Sequence, residues 1–250
     1  MTGLEKFIET VRSEFSDDRL TYQKAVPTFH PESSEEASQF IKLANSEKQN
    51  LFITGFGNNI DPVDEPFKKM VSIRTDRLNK VDEINSDDFY VKIGSGFPFI
   101  EINKKIKQKN LFLPQSNLPY VGSVGGAIAI GLTSDYQNED FPLKKYFIAA
   151  EIVTPTGEII TPGSVCFKSV AGYDIVRIFA GSWGLLGLIV SVTFRVMPSS
   201  AEHEFETMVQ KDIDRENFLS GLDKANSDTD AVYSRKIKAK FDPNNILPIV

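Results

Sequence analysis

Apolar positions recur with two different periods along this chain, and the change from one to the other marks its elements. From Ser33 the period is helical. Ala37, Phe40, Ile41 and Ala44 fall on one face. Ser33 and Glu36 have capping-box spacing, which satisfies the unpaired N–H groups of a first turn. This reads as the first clear helix. Leu51-Phe52-Ile53 follows as a short buried strand and ends in Gly55-Phe56-Gly57-Asn58-Asn59. Val71 to Ile73 and Phe89 to Ile93 read as further strands. Pro98 suits the first turn of a second helix, in which Phe99, Ile102 and Ile106 share a face. Phe147 to Val153 and Glu158 to Ile160 form a hairpin around Thr156-Gly157. Leu188 to Val196 is the last strong strand, stopped by Pro198. Residues 201 to 235 are polar, with one modest helix near Phe218 and Leu222, too small to form a core alone.

Composition narrows the function classes. Hydrophobic residues at 41% and charged residues at 25% are ordinary for a globular chain. A net charge of −6 argues against a nucleic-acid surface, where phosphates need clustered Lys and Arg. The basic runs at Lys104-Lys105-Ile106-Lys107 and Arg235-Lys236-Ile237-Lys238 read as solvated faces. No apolar stretch approaches the roughly 18 residues of a transmembrane helix, and the start of the chain lacks a signal-peptide pattern. A single cysteine, Cys166, leaves no internal disulfide, so the cytoplasm is the default compartment. With only His30 and His203, no metal centre is expected.

Glycine carries the candidate chemistry. A Rossmann fingerprint needs a third glycine, but Ile60 and Phe99 stand where Gly55-Phe56-Gly57 and Gly94-Ser95-Gly96 would require it. A Walker A loop is also absent. Three other clusters remain. The loop from Gly55 to Asn59 follows a buried strand, so its N–H groups could converge on an anion; a plain turn is the competing reading. Gly122 to Gly126 opens a small-residue helix, which suits either a pyrophosphate or close helix packing. Gly181-Ser182-Trp183-Gly184-Leu185-Leu186-Gly187 implies a tight path against something flat, an adenine ring or a neighbouring strand.

In order and context these clusters resemble the FAD-binding domain shared by vanillyl-alcohol oxidase, glycolate oxidase and related enzymes, the PCMH-type family. Pro31-Glu32-Ser33-Ser34-Glu35-Glu36 looks like its entry helix. Phe167-Lys168-Ser169-Val170-Ala171-Gly172-Tyr173-Asp174, continuing to Gly187, looks very like the FAD-binding subunit of bacterial glycolate oxidases. Phe241-Asp242-Pro243-Asn244-Asn245-Ile246-Leu247 resembles the segment that returns to the flavin. The resemblance implies an α+β fold with two lobes and FAD extended between them, the substrate (cap) domain being largely missing. An FAD-binding domain would span 1–200, with a smaller lobe at about 29–75 and a larger one at about 76–200. A shortened remnant of the substrate domain would follow at 201–235, and a returning segment at 236–250.

By position, Gly55, Phe56, Gly57, Asn58 and Asn59, with Gly122, Ser123, Val124, Gly125 and Gly126, would cradle the diphosphate. Ile189 would touch the adenine end, and Pro114 would lie near the isoalloxazine approach. Asn58 and Asn59 stand where covalently linked relatives carry a His, so the resemblance implies non-covalent FAD. Trp183 replaces an acid common in the family. Two functions follow. One is an enzyme subunit oxidising a small 2-hydroxy acid such as glycolate or lactate. The other is a non-catalytic module docking to a paralogous FAD subunit and an iron–sulfur subunit. The related cell-wall reductases, UDP-N-acetylenolpyruvoylglucosamine reductases, are disfavoured, because residues 201–235 cannot supply their substrate domain. Lys168, Tyr173 and Arg177 are local candidates for proton or carboxylate handling, but each reads more readily as structural (salt bridge, core aromatic, surface charge), and no catalytic residue is assigned.

Overall fold

In the computed structural model, which describes residues 2–58, 65–165 and 175–249, two sheets meet across one strand. Asn59, Cys166 and the stretch 167–174, with Lys168 and Tyr173, lie outside the described residues.

The first sheet has the strand order Leu20–Gln23, Val26–Phe29, Val71–Arg74, Leu51–Thr54. Its first pair is antiparallel and the others are parallel. Parallel strands need a crossover. The helix Ser34–Glu47 supplies it, burying Ala37, Phe40, Ile41 and Ala44 as its spacing predicts. Its cap is half a capping box. Ser33 accepts from the Glu36 amide at 3.2 Å, but the Glu36 carboxylate takes the Glu32 amide and pairs with Arg19 at 2.8 Å. The Arg19 guanidinium pulls the carboxylate off the position that would close the box.

An earlier helix, Gly3–Glu14, precedes the one expected to be first. Phe7, Ile8 and Val11 are its buried face, and they join the same core. There Phe29 stacks on Phe40 with centroids 3.9 Å apart. The first sheet accordingly begins at Leu20, ahead of position 29.

The second sheet runs Ile159–Ile160, Phe147–Val153, Leu188–Arg195, Tyr90–Gly94, Val81–Asn85, all antiparallel. The expected hairpin forms, pairing Val153 with Ile159. Phe89 sits in a left-handed turn (φ 53°), so its strand starts one residue late. Beyond Pro98 the chain is less regular than one helix. A 3₁₀ turn (Phe99–Glu101), a short helix (Ile102–Ile106) and a second 3₁₀ turn (Lys107–Lys109) follow one another, with Pro98 ahead of the first turn. Phe99, Ile102 and Ile106 still share a buried face. Pro198 does not end the pairing, because Met197–Pro198 pairs with Leu111–Phe112.

Leu188–Arg195 joins the two halves. Side chains alternate across a strand, and a bulge at Val190, where Glu151 pairs with Ser191 but Ile152 with Ile189, shifts that alternation by one residue. Leu188 and Val190 enter the core of the first sheet, while Ile189, Val192 and Phe194 enter that of the second. A strand buried on both faces fixes the lobes against each other, and so fixes the cleft between them.

Residues 201–235 were expected to hold one helix. They contain Arg215–Leu222 and most of a second helix, Thr229–Phe241, whose buried face is only Ala231 and Lys238. Lys238 forms an ion pair with Asp242, and both are buried. The Asp242 carboxylate also accepts from the Ile246 and Leu247 amides at 3.0 and 2.9 Å. That turn lets Ile246 accept from the Leu51 amide at 2.7 Å and docks the end of the chain on the first sheet. Among the described residues no helix is long and apolar enough to cross a membrane.

Candidate functional site

The cleft between the lobes is built by three turns. The loop after Leu51–Thr54 contributes Gly55, Phe56, Gly57 and Asn58. The turn before the helix Val124–Ala129 contributes Gly122, Ser123, Gly125 and Gly126. The run before Leu188–Arg195 contributes Trp183, Gly184 and Gly187. Ile53, Ala129, Ile130 and Ile189 complete an apolar wall. The cleft is open to solvent, and its space is about 760 Å³ counting that open mouth.

The glycines let these turns nest. A Cβ on Gly55 would lie 2.3 Å from the Ser123 Oγ, and one on Gly122 would lie 2.4 Å from the Tyr120 ring and hydroxyl. Asn58 donates from Nδ2 to the Val121 carbonyl at 2.7 Å, tying the first turn to the second. Gly57 has φ of 78°, a conformation glycine adopts freely. In the third run, close packing explains the glycines as well: a Cβ on Gly187 would fall 2.7 Å from the Val153 carbonyl.

Where the backbone N–H groups go decides what the turns can hold, because every such donor needs a partner. The Val124 amide donates to Phe97 O at 2.9 Å, that of Gly125 to Ser95 O at 2.7 Å, and that of Gly126 to Ser123 Oγ at 3.1 Å. These three are consumed within the protein. The amides of Phe56, Gly57, Gly122 and Ser123 donate to no described residue. No lysine, arginine or carboxylate appears among the described residues lining the cleft. Tyr120 is their one titratable side chain, and burial pushes its phenol up to about 12.

Of the residues singled out in the sequence, the structure brings Gly55, Phe56, Gly57, Asn58, Gly122, Ser123, Gly125, Gly126 and Ile189 to this one cleft. Val124 is fully buried beneath it. Pro114 starts a buried 3₁₀ turn, Pro114–Asn117, apart from the cleft lining. Arg177 is exposed and also apart from it. The segment after Phe241 docks on Leu51 and does not line the cleft. Tyr120 and Trp183 line it without having been picked out as binding residues. The arrangement fits an FAD: uncommitted amides on facing turns match a diphosphate, and the apolar wall matches flat rings.

A family model described as an FAD binding domain matches residues 27–163. The mitochondrial D-lactate dehydrogenase [cytochrome] of Arabidopsis thaliana is 27% identical over 78% of this chain and 36% of its own length. A glycolate oxidase subunit of Bacillus subtilis (strain 168) is 24% identical over 79% of this chain and 43% of its own. Among solved structures, an alkyldihydroxyacetonephosphate synthase superposes with a TM-score of 0.64 at 22% identity, covering 78% of this chain and 40% of the other. The chain thus spans about two fifths of the length of these proteins.

Proposed function

Because the chain belongs to the FAD binding domain family, we propose that it is the FAD-holding part of an oxidoreductase acting on small 2-hydroxy acids such as lactate or glycolate. FAD is the cofactor of this fold, and when bound it supplies a hydride acceptor in its flavin ring. One observation carries the reading: two facing glycine turns present amides with no protein partner, in a cleft whose described lining holds no cation. Phe56, Gly57, Gly122 and Ser123 would grip the diphosphate through N–H groups, and Ile53, Ile130, Trp183 and Ile189 would exclude water. Binding is non-covalent, since Asn58 stands in the loop and the described lining offers no His or Cys. The substrate class is supported by relatives named for D-lactate and glycolate. In this reading residues 1–200 hold the cofactor, 201–235 stand in for a reduced substrate domain, and 236–250 brace the first lobe.

A second reading is favoured by one further observation. Oxidising a hydroxy acid requires a group to take the hydroxyl proton. Tyr120 keeps its proton at neutral pH and cannot serve, so the described lining contains no base. The chain would then hold FAD while docking to a paralogous FAD subunit and an iron–sulfur subunit that complete the reaction. Purified chain with added FAD should show protein-bound flavin bands. Bleaching on addition of D-lactate or glycolate supports the catalytic reading. Bound flavin that stays oxidised supports the subunit, and no bound flavin defeats both.

A further inference from the structure

Tyr120 lines the cleft with 9% of its surface exposed, and its hydroxyl makes no hydrogen bond to any described residue. The ring is buried, but the hydroxyl oxygen keeps contact with solvent at the cleft, so it can donate to a ligand there. The ring is held in place by Phe99, edge-on at 5.8 Å. It occupies the room left by two absent side chains. A Cβ at Gly122 would fall 2.4 Å from the hydroxyl oxygen, and one at Gly126 would fall 2.9 Å from it. The hydroxyl therefore stands beside the turn whose Gly122 and Ser123 amides are uncommitted. The Asn58–Val121 hydrogen bond brings the first glycine loop to the same place.

We propose that the Tyr120 hydroxyl donates a hydrogen bond to the diphosphate of bound FAD, converging on it with the Gly122 and Ser123 amides. This inference rests on the FAD reading of the cleft. A neutral O–H donor facing an anion gives a charge-assisted hydrogen bond, stronger than one between neutral groups. It adds a fifth donor to the four amides, in a cleft whose described lining provides no cation. Burial keeps the phenol protonated throughout the physiological range, so the donor is always armed.

The test is Tyr120→Phe, which keeps the ring and deletes the oxygen. FAD and ADP, the latter carrying the diphosphate without the flavin, are titrated into wild type and variant, and the ligand-free proteins are melted. The expected result is roughly a tenfold or greater loss of affinity for both ligands. The ligand-free variant should melt no lower than wild type, since no protein partner is lost. Unchanged affinity overturns the assignment. So does a loss for FAD with ADP unaffected, which would move the contact to the flavin. A ligand-free variant that melts lower or fails to fold assigns the hydroxyl a structural partner and also overturns it. Wild-type protein that binds neither ligand removes the cofactor reading itself, a result distinct from failure of the variant alone.

Discussion

Replacing Gly55 by alanine tests the nesting of the two glycine turns. Gly55 does not have a positive φ, so an added methyl meets no backbone penalty and its effect is steric. The ideal Cβ position lies 2.3 Å from Ser123 Oγ, closer than atoms can approach, and 3.3 Å from Ser123 Cβ, a tight contact. Ser123 cannot simply rotate away, because its Oγ caps the helix Val124–Ala129 by accepting from the Gly126 amide. Overpacking of about 1–3 kcal/mol and a lost cap of about 1 kcal/mol predict a destabilisation of about 2–4 kcal/mol for Gly55→Ala. Ser123→Gly removes both clashing atoms. Glycine is a tolerable cap, so that change alone should cost only a few tenths of a kcal/mol. The double variant should then recover most of the loss, a coupling of about 1–3 kcal/mol in a double-mutant cycle. Chemical denaturation of the four ligand-free proteins measures this. Additive losses would mean that the two turns do not contact as described, and the reasoning would fail.

Three further outcomes follow from the same structure. Asp242→Ala leaves the buried Lys238 unpaired and frees the Ile246 and Leu247 amides, so it should destabilise by about 3–5 kcal/mol in denaturant titration; a loss below about 1 kcal/mol would show that this pair does not anchor the chain end. At Asp76, burial acts to raise the carboxyl, but the His30 hydrogen bond with the charges of His30 and Arg74 outweighs it and holds the group below the usual carboxylate range. The stability it contributes is present above the unfolded carboxylate value and is lost as pH falls through the folded one, so Asp76→Asn should flatten the acid limb of a stability-versus-pH curve; an unaltered limb would contradict this. Trp183 is the chain's one tryptophan and lines the cleft, so its fluorescence should fall in step with FAD occupancy; flavin binding that leaves it unchanged would place the cofactor elsewhere.

Local signals were legible in the sequence. The helix Ser34–Glu47 could be read because its cap and its apolar stripe lie within a few residues of each other. The same stripe exists at Leu4, Phe7, Ile8 and Val11, and a reading that starts at Ser33 overlooks it. Thr229–Phe241 gave no such warning, since one of its two buried residues is a lysine. The parallel pairing of Val26–Phe29 with Val71–Arg74 joins distant segments, and no local pattern encodes it.

The glycine clusters pointed to the cleft, but not to its working donors. Whether the Val124 and Gly125 amides are spent depends on the carbonyls of Phe97 and Ser95, which another segment brings up. Tyr120 was invisible for a related reason. An aromatic residue two positions before a glycine is common, and only the fold sets its hydroxyl beside the turn. Pro114 shows the converse: its position relative to the motifs suggested the site, while the fold buries it in a 3₁₀ turn outside the residues that line the cleft.

On the proposed function, main-chain N–H groups, and not cationic side chains, take the diphosphate. Backbone amide resonances of isotopically labelled protein report on this directly as FAD or ADP is added. The Phe56, Gly57, Gly122 and Ser123 signals should shift strongly downfield with either ligand, while those of Val124 and Gly125, already engaged inside the protein, should move little. Saturating FAD that leaves the first four in place would contradict the account.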